Sequence, residues 1–502
     1  MALISAIQSY VERMLSQVSG MKILLLDEET TSIVSVAYTQ TQLLSKEVYL
    51  VDKIGNQNRE RIKHLNCIIF VRPTETSITS IVQELMSPKY ANYYIFFSNV
   101  IKKSVIETLA EHDELEVVKD IQEYYADYLA VLPDMFSLGM NSNNYPLFEK
   151  PDVWNPHALQ RATQGLFSLF LSLKQNPSLI RYEANSNMAY QLAKELNEIV
   201  VSTENDDFFK KSMHLNFGDL GVSIKDYVNS FQETSKSNQK LDTIDDMKKF
   251  VENYPEYRKL SGNVSKHVTL VSELSRLVSD RNLLKVSELE QSLVCNGNFQ
   301  TDEHMRQLQD LIKNPKIRSE EKVCLVLIFI LRYEKSQNTN INYLKGLLIE
   351  SNVSPESVSM IDVVLLYCGY KHRQGDLFSP DDIFSRGKSV IKRGLKGIDN
   401  VYTQHTPFYI DNMVKLIKET KNNSKIESLF PALPGTKNNR IGISKRLLVI
   451  FFVGGVTYAE QNDISKIQAQ VGKELGVQIV IGGTNIINSK TFIQNLNDTF
   501  FP

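Results

Sequence analysis

The chain has 502 residues, which at roughly 150 per domain asks for about three domains rather than a single barrel or sandwich. With 42% apolar and 23% charged residues and only 22 Gly and 15 Pro, it lies outside the disordered, collagenous and low-complexity classes. Its 56 basic and 58 acidic residues give a net charge of -2, so bulk electrostatics supply no footprint for nucleic acid or for an anionic membrane.

The opening MALISAIQSYVERM repeats Ile4, Ile7, Val11 and Leu15 at helical spacing and sets Glu12 and Arg13 where a signal peptide needs its apolar core, so an amphipathic helix is expected. From Met21 to about Phe136 apolar runs alternate with helical patterns. KILLLD (Lys22 to Asp27), EVYLV (Glu47 to Val51), CIIFV (Cys67 to Val71) and YYIFF (Tyr93 to Phe97) read as strands buried on both faces. TTSIVSVAYTQTQLLSK, RERIKHL and TETSITSIVQELM read as the helical pieces between them. Such a succession makes a parallel, doubly wound sheet. A loop rich in Asn, Ser and Pro (Asn141 to Pro156) leads to a helix whose Leu159, Ala162, Leu166, Leu169, Phe170 and Leu173 mark one face. From about Glu204 to Pro434 the pattern is helical almost throughout. Two strands then return, LLVIFFV (Leu447 to Val453) and VQIVI (Val477 to Ile481), each followed by Gly-Gly and separated by a helix. A lone strand, helix and strand need a sheet to join, and the segment before the helical stretch is the expected partner. The longest apolar runs, from Val323 and from Leu447, reach only about half of the roughly 20 residues a bilayer span needs.

Chemistry is sparse. Cys67, Cys295, Cys324 and Cys368 show no metal or disulfide spacing, which fits free thiols in a reducing compartment. There is no GxxxxGK[ST], no GxGxxG after a strand, no HExxH and no GxSxG. Gly454-Gly455 and Gly482-Gly483 read as tight turns before they read as ligand loops. The Asp27-Glu28-Glu29 cluster at the first strand's end reads as a solvated strand end, and His267 and His405 as surface or satisfied core histidines. The residues alone describe a large protein that binds other proteins, with no cofactor. A helical tethering adaptor and a nucleotide-dependent α/β enzyme are the competing readings, the first of which needs internal helical repeats that the sequence does not show.

Several long strings then carry a resemblance: KILLLDEETTSIVS with EVYLVDKI, FVENYPEYRKLSGNVSKHVTLVSELSRLV (Phe250 to Val278), GLKGIDNVYTQHTPF (Gly394 to Phe408), FFVGGVTYAE and IVIGGTNIINSKTFI. They run in order through the whole chain and resemble the SM family, the syntaxin-binding Sec/Munc proteins of vesicle fusion. The resemblance implies an α/β plus all-α fold, a three-domain arch with parallel sheets in domains 1 and 2 and a helical domain 3. Its expected parts are residues 1–136; 137–200 with 440–502; and 201–439. It implies a non-enzymatic regulator of SNARE assembly in transport between Golgi and endosomes. Such a protein would be a cytoplasmic monomer that reaches Golgi and endosomal membranes through its partners. Those partners would be a syntaxin-type SNARE, the assembling SNARE bundle and a Rab effector of the rabenosyn type. One departure stands out. The family carries several dozen residues, including a buried strand and a Trp-Thr-Tyr-Gln run, where ELNEIVVSTENDDFF here joins two helices directly, and the single tryptophan, Trp154, precedes that junction.

The resemblance also implies two sites. In KKSVIETLAEHDELEVVKDIQEYY, Ile106 and Leu109 lie three apart on one helical face, and Val118 and Ile121 are expected to do the same on the next segment, across a turn at His112 to Glu114. On pattern alone such pairs close a core more often than they line a pocket. The resemblance makes Ile106, Leu109, Val118, Ile121 and Glu123 a cleft for the syntaxin N-terminal peptide, taking an aromatic or leucine anchor and a basic group. It likewise makes Pro255, Val264 and Val268, with Val271, Leu274, Leu277 and Val278 along the same stretch, a hairpin that templates a vesicle SNARE; core packing is an equal reading for Val271 and Leu274.

Overall fold

The computed structural model describes residues 3–141, 144–150, 152–204, 269–295, 301–336, 339–370, 424–434, 446–472 and 476–500, with 405, 407, 409, 410, 413 and 414. Five strands, β1 (Lys22–Leu26), β2 (Val48–Lys53), β3 (Ile62–Val71), β4 (Tyr90–Phe97) and β5 (Val118–Glu123), form one parallel sheet in the order β2-β1-β3-β4-β5. Alternation divides its apolar residues between two cores. Leu24, Leu26, Ile68, Phe70 and Phe96 face α1 (Leu3–Ser16) and α2 (Glu28–Ala37). Ile23, Leu25, Cys67, Ile69, Val71, Tyr93, Ile95 and Phe97 meet Ile81 and Leu85 of α4 (Glu75–Met86) and Leu109 of α5 (Lys103–His112). Every residue of KILLL is buried because β1 is an interior strand covered on both sides.

Two readings of the first sheet need correction. EVYLV is an edge strand, not one buried on both faces: Tyr49, Leu50 and Val51 are 56%, 37% and 36% exposed. RERIKHL is not a helix; after the short α3 (Gln40–Ser45) and β2, the chain crosses to β3 without one, and Ile62 to Leu65 already belong to that strand. Seven residues are too few for period 3.6 to be told from period 2. Arg59 anchors the crossing by donating to the carbonyls of Lys53 and Ile54 and pairing with the buried Glu84, which also accepts from the Tyr93 hydroxyl (2.7 Å).

The second sheet has the order β10-β11-β7-β6, from β6 (Leu129–Leu132), β7 (Met135–Ser137), β10 (Arg446–Phe452) and β11 (Val477–Gly483). β11 lies parallel to both β10 and β7, so Met135 to Ser137 supply the sheet that the late strands require. This sheet begins at Leu129, inside the span 1–136 expected for the first unit. Between the β strands lie a small hairpin of β8 (Phe148–Lys150) and β9 (Val153–Trp154), the long helix α6 (Pro156–Leu173) and α7 (Asn187–Glu204). α6 is buried nearly all round, from Ala158 to Leu173, because it packs between the two sheets.

Five helices, α8 (Leu283–Cys295), α9 (Thr301–Lys313), α10 (Ser319–Tyr333), α11 (Ile341–Glu350) and α12 (Pro355–Cys368), share a separate core built on Leu293, Leu308, Phe329, Ile330, Leu344 and Ile361. α13 (Ser424–Leu429) and α14 (Tyr458–Ile467) follow, and α15 (Ser489–Phe500) enters that same core through Phe492, Ile493 and Leu496. No helix among the described residues is long and apolar enough to cross a membrane.

Candidate functional site

The expected cleft lies at the far edge of the first sheet. Leu109 is 1% exposed and seals the core against Tyr93 and Phe97, whereas Ile106, one turn earlier on α5, is 41% exposed. The segment carrying Val118 and Ile121 is the edge strand β5, not a helix as the sequence reading had it. On a regular strand residues three apart point to opposite faces. Here Val118 pairs with Tyr93 but Asp120 with Tyr94 and Ile121 with Ile95, so the extra residue Lys119 restores the phase. Val118, Ile121 and Glu123 therefore share the face of Tyr93, Ile95 and Phe97, beside α5, and Val118 and Ile121 are half-buried against that core.

Two acids organise this edge. Asp113 ends α5, and its carboxylate accepts from the backbone of Val117 (2.9 Å) and Val118 (3.0 Å), which ties the start of β5 to the helix end. An Asp just past a helix is a turn residue whose side chain bonds its own backbone, so this role was available to sequence reasoning but went unread. Glu123 closes the strand: one carboxylate oxygen accepts from the Ile101 amide (2.8 Å) and the other from the Tyr125 hydroxyl (2.6 Å). Burial, then Glu123, pushes the Tyr125 hydroxyl well above its ordinary range, so it stays a donor. The α5–β5 edge thus presents the exposed Ile106 beside the half-buried Val118 and Ile121, next to an acid with acceptor capacity to spare.

Beside it runs a buried charged joint between the sheets. Asp127, fully buried, accepts from Arg72 Nε (3.2 Å), Arg161 on α6 (3.2 Å) and Asn99 Nδ2 (2.7 Å). Arg72 also donates to Gln164 and Tyr145, and Arg161 to the Leu138 carbonyl. Glu29 joins at 3.4 Å from Arg72; burial raises its carboxyl pKa against the pull of Arg161 and Arg72. Burial pulls Arg72 down, but Asp127 and Glu29 outweigh it and leave its pKa raised.

The other candidates resolve differently. Pro255, Val264 and Val268 lie outside the described residues, as does His267. The helix at residues 269–280 carries Leu270, Val271 and Leu274 at 59%, 63% and 59% exposed, which removes the core-packing reading for Val271 and Leu274. Asp27 is structural rather than a loose strand end: it caps α2 through Thr30 and accepts from the Arg72 amide and the Ser77 hydroxyl. Gly454 and Gly455 adopt φ of 106° and 118°, and a Cβ on Gly455 would stand 2.7 Å from Ile487, so tight turning and close packing account for this pair. Among the described residues no group of three His, Cys, Asp or Glu could hold a metal.

The Sec1 family model matches residues 22–202 and 194–495. Vacuolar protein sorting-associated protein 45 of Rattus norvegicus is 38% identical over 574 residues, covering 99% of this chain and 96% of the relative. Its counterpart in Schizosaccharomyces pombe is 38% identical over 566 residues, covering 99% of each. Among solved structures, "SM Protein Vps45 in Complex with Qa SNARE Tlg2" aligns with a TM-score of 0.83 at 38% identity, over 99% of this chain and 98% of that one. The Unc18–syntaxin 1 complex of Monosiga brevicollis aligns at 0.71 with 16% identity, over 99% and 100%, which is a likeness of fold. The alignments are longer than this chain, and the two stretches of the family match meet at residues 194–202, the junction where the sequence reading found family residues missing.

Proposed function

The chain belongs to the Sec1 family, and on that premise we propose that it binds a Qa, syntaxin-type SNARE and regulates SNARE assembly in transport between Golgi and endosomes. The observation that carries this is the match, over nearly the whole of both chains, to a protein solved in complex with the Qa SNARE Tlg2. The work is binding, not catalysis. Golgi and endosomal membranes are reached through the SNARE partner.

Within that function the α5–β5 cleft receives the SNARE's N-terminal peptide. Ile106, Val118 and Ile121 take an apolar anchor, Leu109 forms the floor, and Glu123 takes a basic group. Burying one large side chain there contributes about 1.5–3 kcal/mol, a modest hold that leaves the SNARE helix free to zipper. The helix at residues 269–280 serves as part of the assembly template, supported by three large apolar side chains left in solvent on a helix that also carries Arg276 paired with Glu273 and Asp280. An unpartnered apolar stripe suits the amphipathic helices of a SNARE, which are disordered alone and need preorganisation.

Capture of a Qa SNARE cytoplasmic domain by the purified chain tests the function; no capture at micromolar concentrations overturns it. Ile106→Arg should abolish binding of the isolated N-terminal peptide in calorimetry while Tm stays within a degree or two. Retained affinity returns these residues to the core. Val271→Arg should remove stimulation of SNARE assembly and leave peptide binding intact, which separates the two sites.

A further inference from the structure

Glu123 is held by two donors, and both lead to the buried joint. Ile101, whose amide bonds Glu123, sits two residues beyond Asn99. Asn99 is 1% exposed; its Nδ2 donates to Asp127 (2.7 Å) and to the Gln164 carbonyl on α6 (3.1 Å), and its Oδ1 accepts from the Val100 amide (2.8 Å). Tyr125, the second donor, lies two residues before Asp127, whose own amide donates to Ser168 of α6 (2.9 Å). The acid of the cleft and the charges that fasten α6 to the first sheet are thus connected by two short covalent paths, through residues 99–101 and 125–127.

We propose that Asn99 and Tyr125 are positioning residues that couple the cleft to the joint: they aim the Glu123 carboxylate, so that a cationic group bound by Glu123 and the packing of α6 against the first sheet stabilise one another. The proposal rests on the cleft reading given above. Its physics is that of an oriented carboxylate. With two fixed donors Glu123 keeps one geometry and presents its remaining lone pairs outward, so a bound guanidinium gains charge-assisted bonds without reordering the side chain. Loss of Asn99 releases residues 98–101, and loss of the Tyr125 hydroxyl frees the second oxygen. Either change leaves the apolar floor of Leu109, Val118 and Ile121 in place. Because linkage is reciprocal, the cation that profits from the joint must also tighten it.

Two short synthetic peptides test this on the full chain, identical except that one carries arginine and the other norleucine beside a leucine anchor. Asn99→Ala and Tyr125→Phe should each weaken the arginine peptide about 5- to 10-fold and leave the norleucine peptide unchanged. Saturating arginine peptide should slow hydrogen exchange along α6 in the wild-type chain and not in either variant. Equal loss for both peptides, or no loss for either, overturns the proposal. If Asn99→Ala does not fold, Tyr125→Phe, which keeps the ring, decides it alone. Failure of the wild-type chain to bind either peptide is a different result, since it overturns the cleft itself.

Discussion

The two sheets differ most at their rims. The first sheet ends in β2, which carries Asp52 and Lys53, and in β5, which carries Lys119, Asp120 and Glu123 and a bulge. Charges and bulges are the devices by which proteins keep sheet edges from pairing with strangers. The second sheet ends in β10, whose LLVIFF run has no charge after Arg446 and pairs in unbroken register with β11. Its residues Leu447 to Phe452 are all partly exposed, on both faces. An apolar, unguarded strand has the composition of an interior strand and the position of an edge one. Among the described residues β10 has a strand on one side only, and the alignments to the relatives run longer than this chain, with the two stretches of the family match overlapping at residues 194–202.

Removing the post between the sheets should have the largest effect. Arg161→Ala removes one of the two arginines that face the fully buried Asp127, leaving Arg72 and Asn99 on it, and should cost about 1.5–3 kcal/mol, measured by chemical denaturation. Hydrogen exchange should show the loss in α6, β6 and β7 before β1, β3 and β4; simultaneous loss across both sheets would merge what we have separated. In the unmodified chain, amides of β10 should exchange on the order of 100-fold faster than those of β1, whose five residues are buried on both faces. Equal protection would mean that β10 is as well held as an interior strand. Ile450→Lys, a charge of the kind β2 and β5 already have, should slow aggregation on warming several-fold while first-sheet exchange stays unchanged. Faster aggregation would place the liability elsewhere.

The smallest effect belongs to the helical bundle and identifies its transition among the others. His304 is buried between Ser292 (2.8 Å) and Tyr333, and burial, then Arg332, lowers its pKa below the ordinary 6.5. The unfolded chain therefore binds the proton more readily than the fold does, and bundle stability declines as pH drops below about 6.5. The bundle's melting temperature should fall by a few degrees between pH 7 and pH 5.5, and His304→Gln should remove most of that slope. A first-sheet transition that moves with it would show that the units do not melt separately.

Much of this was legible in the chain. β1, β3, β4, β10 and β11 stood out because interior parallel strands are continuous apolar runs, and α6 because its stripe repeats over five turns. β5 was not legible. VKDIQE has a helical spacing of Val118 and Ile121, and only the bulge at Lys119, a property of the pairing with β4, turns that spacing into one strand face. β2 was read as interior because apolar content does not report how many neighbours a strand has. The residues proposed for the cleft were named through the resemblance; Asp113 was readable as a local turn residue and went unread, while Asn99 and Tyr125 were missed because their roles lie in hydrogen bonds that no periodicity announces. The charged joint was likewise invisible, since Arg72, Asp127 and Arg161 converge only when two sheets and α6 are assembled.

The pairing of β11 with β7, and the seat of α15 in the bundle core, set a timetable for synthesis. The first sheet has all its strands once Glu123 has emerged from the ribosome. β6 and β7 follow at once, but β11, the neighbour of β7, is translated only after the helices of the bundle, α8 to α12, and the bundle waits longer still for Phe492 and Leu496. During that interval Met135 to Ser137 and the apolar side of α12 stand without their final neighbours. The N-terminal unit can mature on its own schedule, whereas the second sheet and the bundle reach completion only after β11 and α15 have been made, and depend on being shielded until then.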